Sequence, residues 1–172
     1  DLTQQELIKK LTRDEIGELT DALNGLLGRI REYQSELVRL ANTDGLTGIL
    51  NRRTFFAKGE ALLLKYENNV YFVQIDLDHF KSVNDNYGHG IGDQVLELVG
   101  RLLQGSIRTV GEREPDLVGR LGGEEFGILL STENLEQARS VSERLRATLE
   151  KSEVDTGAKP LTITGSFGLA EG

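Results

Sequence analysis

Four carboxylates fall in two short stretches, and acids so grouped could hold a cation or take a proton from a hydroxyl. The first stretch reads Arg120-Leu121-Gly122-Gly123-Glu124-Glu125-Phe126. Two glycines separate two apolar runs there, and glycine tolerates the positive φ that a two-residue hairpin turn demands. Neighbouring strand residues point to opposite faces. Glu124 and Glu125 would therefore face different ways, one free for a metal and the other for a substrate hydroxyl. Taken alone, the stretch also fits an ordinary surface hairpin with a solvated acidic tip.

The second stretch is Val70-Tyr71-Phe72-Val73-Gln74-Ile75-Asp76-Leu77-Asp78, a strand rich in β-branched and aromatic residues. Tyr71, Val73, Ile75 and Leu77 alternate onto one face, leaving Asp76 and Asp78 to share the other. Acids ending so apolar a strand are costly to bury unless a cation or hydrogen bonds satisfy them. Capping of the next helix would account for Asp78; Asp76 lies deeper in the strand. Then come Phe80-Lys81-Ser82-Val83-Asn84-Asp85, a short helical turn, and Gly88-His89-Gly90-Ile91-Gly92-Asp93, a glycine-rich loop opening a long helix.

The elements that must position these residues are legible in outline. Helix signals cover residues 13–41, 52–66, 90–108 and 135–151; strand signals cover 70–77, 117–121, 126–130 and 161–169. This mixture predicts an α+β sandwich, helices flanking a central, mainly antiparallel sheet. Its expected limits are 42–172, preceded by the helical segment 1–41. In that segment Ile16, Leu19, Leu23, Leu26, Ile30, Tyr33, Leu37 and Leu40 alternate steps of three and four. A straight helix drifts roughly 20° per heptad, so strict register argues for a supercoiled pair, here a parallel dimer. An amphipathic helix packed on its own domain is the alternative.

Composition sets bounds. Net charge of −8 and a pI near 4.9 argue against general nucleic-acid binding, which wants a basic face. The absence of cysteine removes disulfides and thiolate metal sites, and His79 and His89 are too few and too scattered for a zinc site. No apolar run approaches the roughly 20 residues needed to span a bilayer.

Together these motifs resemble the GGDEF domain of diguanylate cyclases, with Gly122-Gly123-Glu124-Glu125-Phe126 as a GGEEF variant of the signature. The resemblance runs from Asp44-Gly45-Leu46-Thr47-Gly48-Ile49-Leu50-Asn51-Arg52-Arg53-Thr54-Phe55 to Ser166-Phe167-Gly168. It implies a five-stranded sheet wrapped by helices, related to polymerase palms and nucleotide cyclases. The implied reaction joins two GTP molecules, one per facing domain, into cyclic di-GMP and pyrophosphate. Hard cations with oxygen ligands suit such phosphate chemistry. By resemblance, Asp76, the Leu77 carbonyl and Glu125 would hold two Mg²⁺ (or Mn²⁺) per GTP site. Glu124 would be the base and Lys81 the phosphate-facing cation. Asn84 and Asp93 would read guanine, whose N1–H and N2–H₂ donors adenine lacks, with Phe80 and Gly123 also touching substrate. For Asn84 and Asp93, helix capping is the alternative.

Arg113-Glu114-Pro115-Asp116 has the family's spacing for an allosteric product site, which Arg144 would complete. Arginine's fork suits phosphate and guanine, and a polar turn at Pro115 is the alternative. Asp44, Asn51 and Arg52 resemble the motif linking stalk to catalytic body and would fix stalk angle by salt bridging. Asp14-Glu15-Ile16-Gly17-Glu18-Leu19 resembles the opening of the second helix of a HAMP signalling module, residues 1–11 being the connector's tail. The resemblance thus implies a cytoplasmic domain that is part of a longer protein anchored in the bacterial inner membrane, dimerised by its coiled coil. Family members continue past Ser166-Phe167-Gly168 into a helix and strand that grip the phosphates and cover the sheet. The C-terminal part of the domain is therefore expected to be missing here, leaving apolar sheet surface bare. A non-catalytic GTP or cyclic di-GMP sensor is the alternative function; it usually shows losses at the signature.

Overall fold

The computed structural model describes residues 15–66, 69–107, 116–157 and 159–171. The chain divides between Ala41 and Asn42 into two units. The first is largely the helix α1 (Glu15–Asn42). Its heptad positions Leu19, Leu23, Leu26, Ile30, Tyr33, Leu37 and Leu40 are all exposed, Leu19 and Tyr33 at 69%. A contiguous apolar stripe of this kind marks an interaction surface. The connector reading on residues 1–11, Asp14 of the HAMP-like opening, the side chain of Ile16 and Arg113 lie outside the described residues. Among the described residues no helix is long and apolar enough to cross a membrane.

The second unit runs through β1 (Leu50–Asn51), α2 (Arg52–Lys65), β2 (Val70–Leu77), α3 (Phe80–Tyr87) and α4 (His89–Ser106). It continues through β3 (Leu117–Arg120), β4 (Glu125–Ser131), α5 (Leu135–Glu150), β5 (Glu153–Val154), β6 (Leu161–Thr162) and β7 (Gly165–Glu171). Five strands form one sheet in the order β1-β3-β4-β2-β7. Among the described residues only β1 and β3 pair in parallel; the other pairs of this sheet are antiparallel. The α+β architecture and its mainly antiparallel sheet are as expected.

Strand alternation decides which faces are buried. Tyr71, Val73, Ile75 and Leu77 of β2 are buried beside Val95, Val99 and Leu103 of α4 and Leu145 and Leu149 of α5. Gln74 and Asp76, between them, are exposed. On the opposite face Phe55 and Leu62 of α2 pack with Leu121 and Leu129. Gly119 and Gly127 stand opposite each other in β3 and β4, and a Cβ at either would crowd the Phe55 side chain. This bare slot lets α2 approach the sheet. Beside it, Phe56, Leu63, Leu64, Phe72 and Leu129 line an apolar groove of about 690 Å³, with Leu64 78% exposed.

The structure departs from expectation in three places. The strand expected over 161–169 is two strands in different sheets, β6 pairing β5 and β7 pairing β2. At the break, Thr164 bonds to Asp78 instead of continuing a ladder. The two-residue strands β1 and β5 carry no sequence signal of their own. Finally, the turn between β3 and β4 is not a two-residue hairpin: residues 122–124 form it, closed by Leu121 N–H donating to Glu125 O at 2.8 Å. Neither Gly122 nor Gly123 has positive φ.

Candidate active site

The site is assembled at the ends of the two central strands. In the antiparallel pair of β2 and β4, Asp76 stands directly opposite Glu125. Opposed residues on such a pair place their Cβ atoms roughly 4.5–5.5 Å apart on one face, where like charges destabilise. Among the described residues neither carboxylate has a side-chain hydrogen-bond or ion-pair partner. No group of three or more Asp, Glu or His side chains converges among those residues. The protein thus offers two carboxylates beside the Leu77 carbonyl, an incomplete oxygen cage. That donor set fits Mg²⁺, which usually takes one or two carboxylates and fills its other positions with water and substrate phosphate.

The turn explains its glycines by space. A Cβ at Gly122 would lie 2.6 Å from Glu125 Oε2, so the first glycine is bare because the Glu125 carboxylate folds over it. Gly123 meets nothing within 4 Å. Glu124 is half-buried, and its carbonyl accepts from Leu77 N–H at 3.3 Å, tying the turn to the end of β2. Arg120, whose role the sequence did not disclose, reaches back over the turn. Its Nε donates to Gly122 O (3.1 Å) and Gly123 O (3.2 Å), and its Nη2 to Gly123 O (2.8 Å).

Other acids nearby are fully engaged. Asp44 Oδ1 accepts from Thr47 N–H (2.9 Å), the Thr47 hydroxyl (2.7 Å) and Arg120 Nη1 (3.1 Å). Burial, the largest single influence, would raise the Asp44 carboxyl. The Thr47 and Arg120 hydrogen bonds together outweigh it and hold the group below the usual carboxylate range. Asp78 does not cap α3. The cap is His79 in the left-handed region (φ 57°) with no side-chain bond. Instead the Asp78 carboxylate accepts from the hydroxyls of Thr164 (2.7 Å) and Ser166 (2.8 Å), and these bonds lower its pKa. Asn51 caps α2 by accepting from Thr54 N–H at 3.0 Å. Arg52 Nη1 donates to the Leu121 carbonyl at 2.9 Å.

The helices α3 and α4 bring up the remaining groups. Lys81 is exposed in the first turn of α3. Asn84 lies inside α3 and Asp93 inside α4, and neither caps a helix. Gly92 is the residue that seats Asn84: a Cβ there would run into Asn84 Oδ1 and lie 3.4 Å from Phe80 Cζ. Asn84 therefore packs beside the residue preceding Asp93. The ring of Phe80 is core, 6% exposed, which leaves only its backbone for a substrate.

A second cavity, about 350 Å³, is lined by Ser106, Asp116, Thr132, Gln137, Ser140, Val141 and Arg144. Asp116 and Arg144 are thus brought together. Asp116 Oδ1 accepts from Ser131 N–H (3.1 Å), and Arg144 Nη2 donates to Ser106 O (3.2 Å).

The model of the family described as "Diguanylate cyclase, GGDEF domain" matches residues 41–172. Among curated relatives, the probable diguanylate cyclase DgcT of Escherichia coli (strain K12) is 40% identical over 132 residues, 75% of this chain and 28% of that protein. Diguanylate cyclase VdcA of Vibrio cholerae is 33% identical over 178 residues, 96% of this chain and 50% of that protein. The chain spans half or less of the length of these relatives. The coiled coil and GGDEF domain of DgcB from Caulobacter crescentus, solved in complex with c-di-GMP, superposes with a TM-score of 0.73 at 28% identity. That match covers 90% of this chain and 81% of DgcB's. A strand-end pair of free acids, a glycine turn beneath them and a family match spanning the whole globular unit agree: the chain belongs to the GGDEF domain family of diguanylate cyclases.

Proposed function

We propose that the protein of which this chain is part is a diguanylate cyclase that condenses two GTP into cyclic di-GMP and two pyrophosphates. The supporting observation is the partnerless pair Asp76 and Glu125, held opposite each other across β2 and β4. Together with the Leu77 carbonyl they would hold two Mg²⁺ or Mn²⁺ per GTP. Those ions, when bound, neutralise phosphate charge and orient the attack. Glu124 takes the proton from the 3′-hydroxyl as that oxygen bonds to the α-phosphorus of the opposite GTP. The bond from α-phosphorus to the bridging oxygen breaks, and pyrophosphate leaves. Lys81 meets the phosphate charge. Asn84 and Asp93 read the guanine edge, and adenine would leave Asp93 unpaired, at a cost of roughly 1–3 kcal/mol. Planar trans peptides turn the N–H groups of Gly123 and Glu124 away from the carbonyls that Arg120 holds, which favours Gly123 as a phosphate contact.

Regulation follows from the rest of the chain. The exposed stripe of α1 supports a homodimer through a parallel coiled coil, which brings two GTP sites together. Upstream, a HAMP module (residues 1–11 as its connector's tail and Asp14 to Leu19 opening its second helix) would relay signals from a membrane-anchored parent. Asp116 and Arg144, sharing one cavity, support a product site completed by Arg113, so that cyclic di-GMP inhibits its own synthesis. Incubation of the full-length protein with GTP and Mg²⁺ is expected to yield cyclic di-GMP, which Arg113→Ala would free from inhibition by added product. Absence of product would leave the sensor reading in its place.

A further inference from the structure

We propose that Asp44, acting through Arg120, is a positioning residue that fixes the conformation of the turn at residues 122–124. The proposal rests on reading that turn as part of the GTP site. Two adjacent glycines have the least intrinsic preference for any one backbone conformation, and here they occupy ordinary φ values that do not require glycine. Something outside the turn must hold it. Arg120 does so, its guanidinium donating to the carbonyls of Gly122 and Gly123. Its remaining Nη1–H donates to Asp44 across 76 positions of sequence. The pair is largely shielded, with side-chain exposures of 16% for Arg120 and 25% for Asp44, which limits competition from water and salt.

Asp44 is itself anchored. Its N–H donates to Ile49 O (2.8 Å), and its own carbonyl accepts from Gly48 N–H (2.9 Å). Gly48, at φ +73°, closes this loop. Thr47, which gives two hydrogen bonds to Asp44, is pressed on α4: a Cβ at Gly100 would lie 2.9 Å from Thr47 Cβ and 3.1 Å from Thr47 O. One continuous path of contacts therefore runs from Gly100 through Thr47, Asp44 and Arg120 to the turn carbonyls. The same helix α4 carries Asp93. The loop thus braces the acid turn and the helix bearing the base-reading residue against each other. The donors are spread over Nε, Nη2 and Nη1 of a rigid planar fork, a span that the compact ammonium of lysine does not reproduce, so lysine is no substitute.

The test compares wild type with Asp44→Asn, Arg120→Gln, Arg120→Lys and the Asp44→Asn/Arg120→Gln double variant of the full-length protein. Amide hydrogen exchange at Leu121 and Gly122 is read without substrate, and kcat and KM with GTP and Mg²⁺. Exchange is expected to speed up about tenfold or more in the variants that alter Arg120, and by less but still measurably in Asp44→Asn, which loses only the charge, as local opening becomes easier. For Arg120→Gln, kcat should fall about a hundredfold, the scale of a 1 Å misplacement, with KM changed much less. The double variant should be no worse than Arg120→Gln alone, because both changes break one path. Arg120→Lys should not restore kcat. Wild-type exchange in the variants, or losses that multiply in the double variant, would overturn the proposal. If Arg120→Gln fails to fold, Asp44→Asn, which keeps the oxygen shared by Thr47 and Arg120 and removes only the charge, supplies the same readouts with smaller changes in the same direction. Should wild type make no product while exchange responds as described, the brace stands and the enzymatic reading alone falls.

Discussion

Two pairs of acids near the same strand ends are treated in opposite ways. Asp44 and Asp78 are surrounded by donors: Thr47 and Arg120 for one, Thr164 and Ser166 for the other. Asp76 and Glu125 face each other with no side-chain partner among the described residues. The hydroxyls of Thr47, Thr164 and Ser166 and the guanidinium of Arg120 go to the first pair. The first pair is satisfied by protein donors, whereas the second is open to a ligand from outside, as the proposed cation binding requires. The difference is what the proposed division into structural and cation-binding carboxylates rests on.

The largest effects should come from the partnerless pair. Asp76→Asn or Glu125→Gln should lower cyclic di-GMP formation about a hundredfold or more, the scale seen when one group stabilising transition-state charge is lost. Melting temperature without metal should hold steady or rise, since one of two opposed like charges is gone. A fall in both activity and melting temperature would place these acids with the structural pair. Next comes base choice: Asp93, exposed without nucleotide, would be covered by the bound base, and Asp93→Asn should cut the preference for GTP over ATP in kcat/KM by about tenfold, within the roughly 1–3 kcal/mol of a group left unpaired on burial.

The donor-rich pair should show itself in acid. Both carboxyls titrate below their ordinary range when folded, so the stability they add is present above the unfolded value of about 3.9. It is lost as pH falls through the lower folded values. Urea midpoints should therefore drop below about pH 4, and Thr164→Ala, removing one donor to Asp78, should flatten that drop by a small amount. The smallest effect on the globular unit should follow Leu26→Asp with Ile30→Asp in α1. Sedimentation would show loss of the dimer while the urea midpoint of the globular unit stays put.

How far these features could be read in advance depends on their range along the chain. The period-two pattern of β2 is local, and it gave Tyr71, Val73, Ile75 and Leu77 their buried face and Asp76 its exposed one. The three-four spacing of α1 is equally local, and it placed Leu19 to Leu40 on one exposed stripe of that helix. Contacts between distant segments leave no such trace. Neither the register that sets Asp76 against Glu125 nor the bond from Arg120 to Asp44 follows from any periodicity. The parallel pairing of β1 with β3 involves only two residues of β1. Gly122 shows a different difficulty: glycine marks either a backbone that needs freedom or a place that needs room. Residue type alone suggested the first, whereas the Glu125 carboxylate lying over it makes it the second. Asp78 was open to a capping role because its hydroxyl donors, Thr164 and Ser166, lie more than 80 residues away (86 and 88).

The decisive measurement is an anomalous-scattering map from a crystal of the protein grown with Mn²⁺ and a non-hydrolysable GTP analogue. The expected result is metal peaks between the Asp76 and Glu125 carboxylates and the Leu77 carbonyl, at oxygen distances of roughly 2.1 Å, with guanine against Asn84 and Asp93. Nucleotide bound with no metal at Asp76, or with either carboxylate turned to bulk solvent, would contradict it.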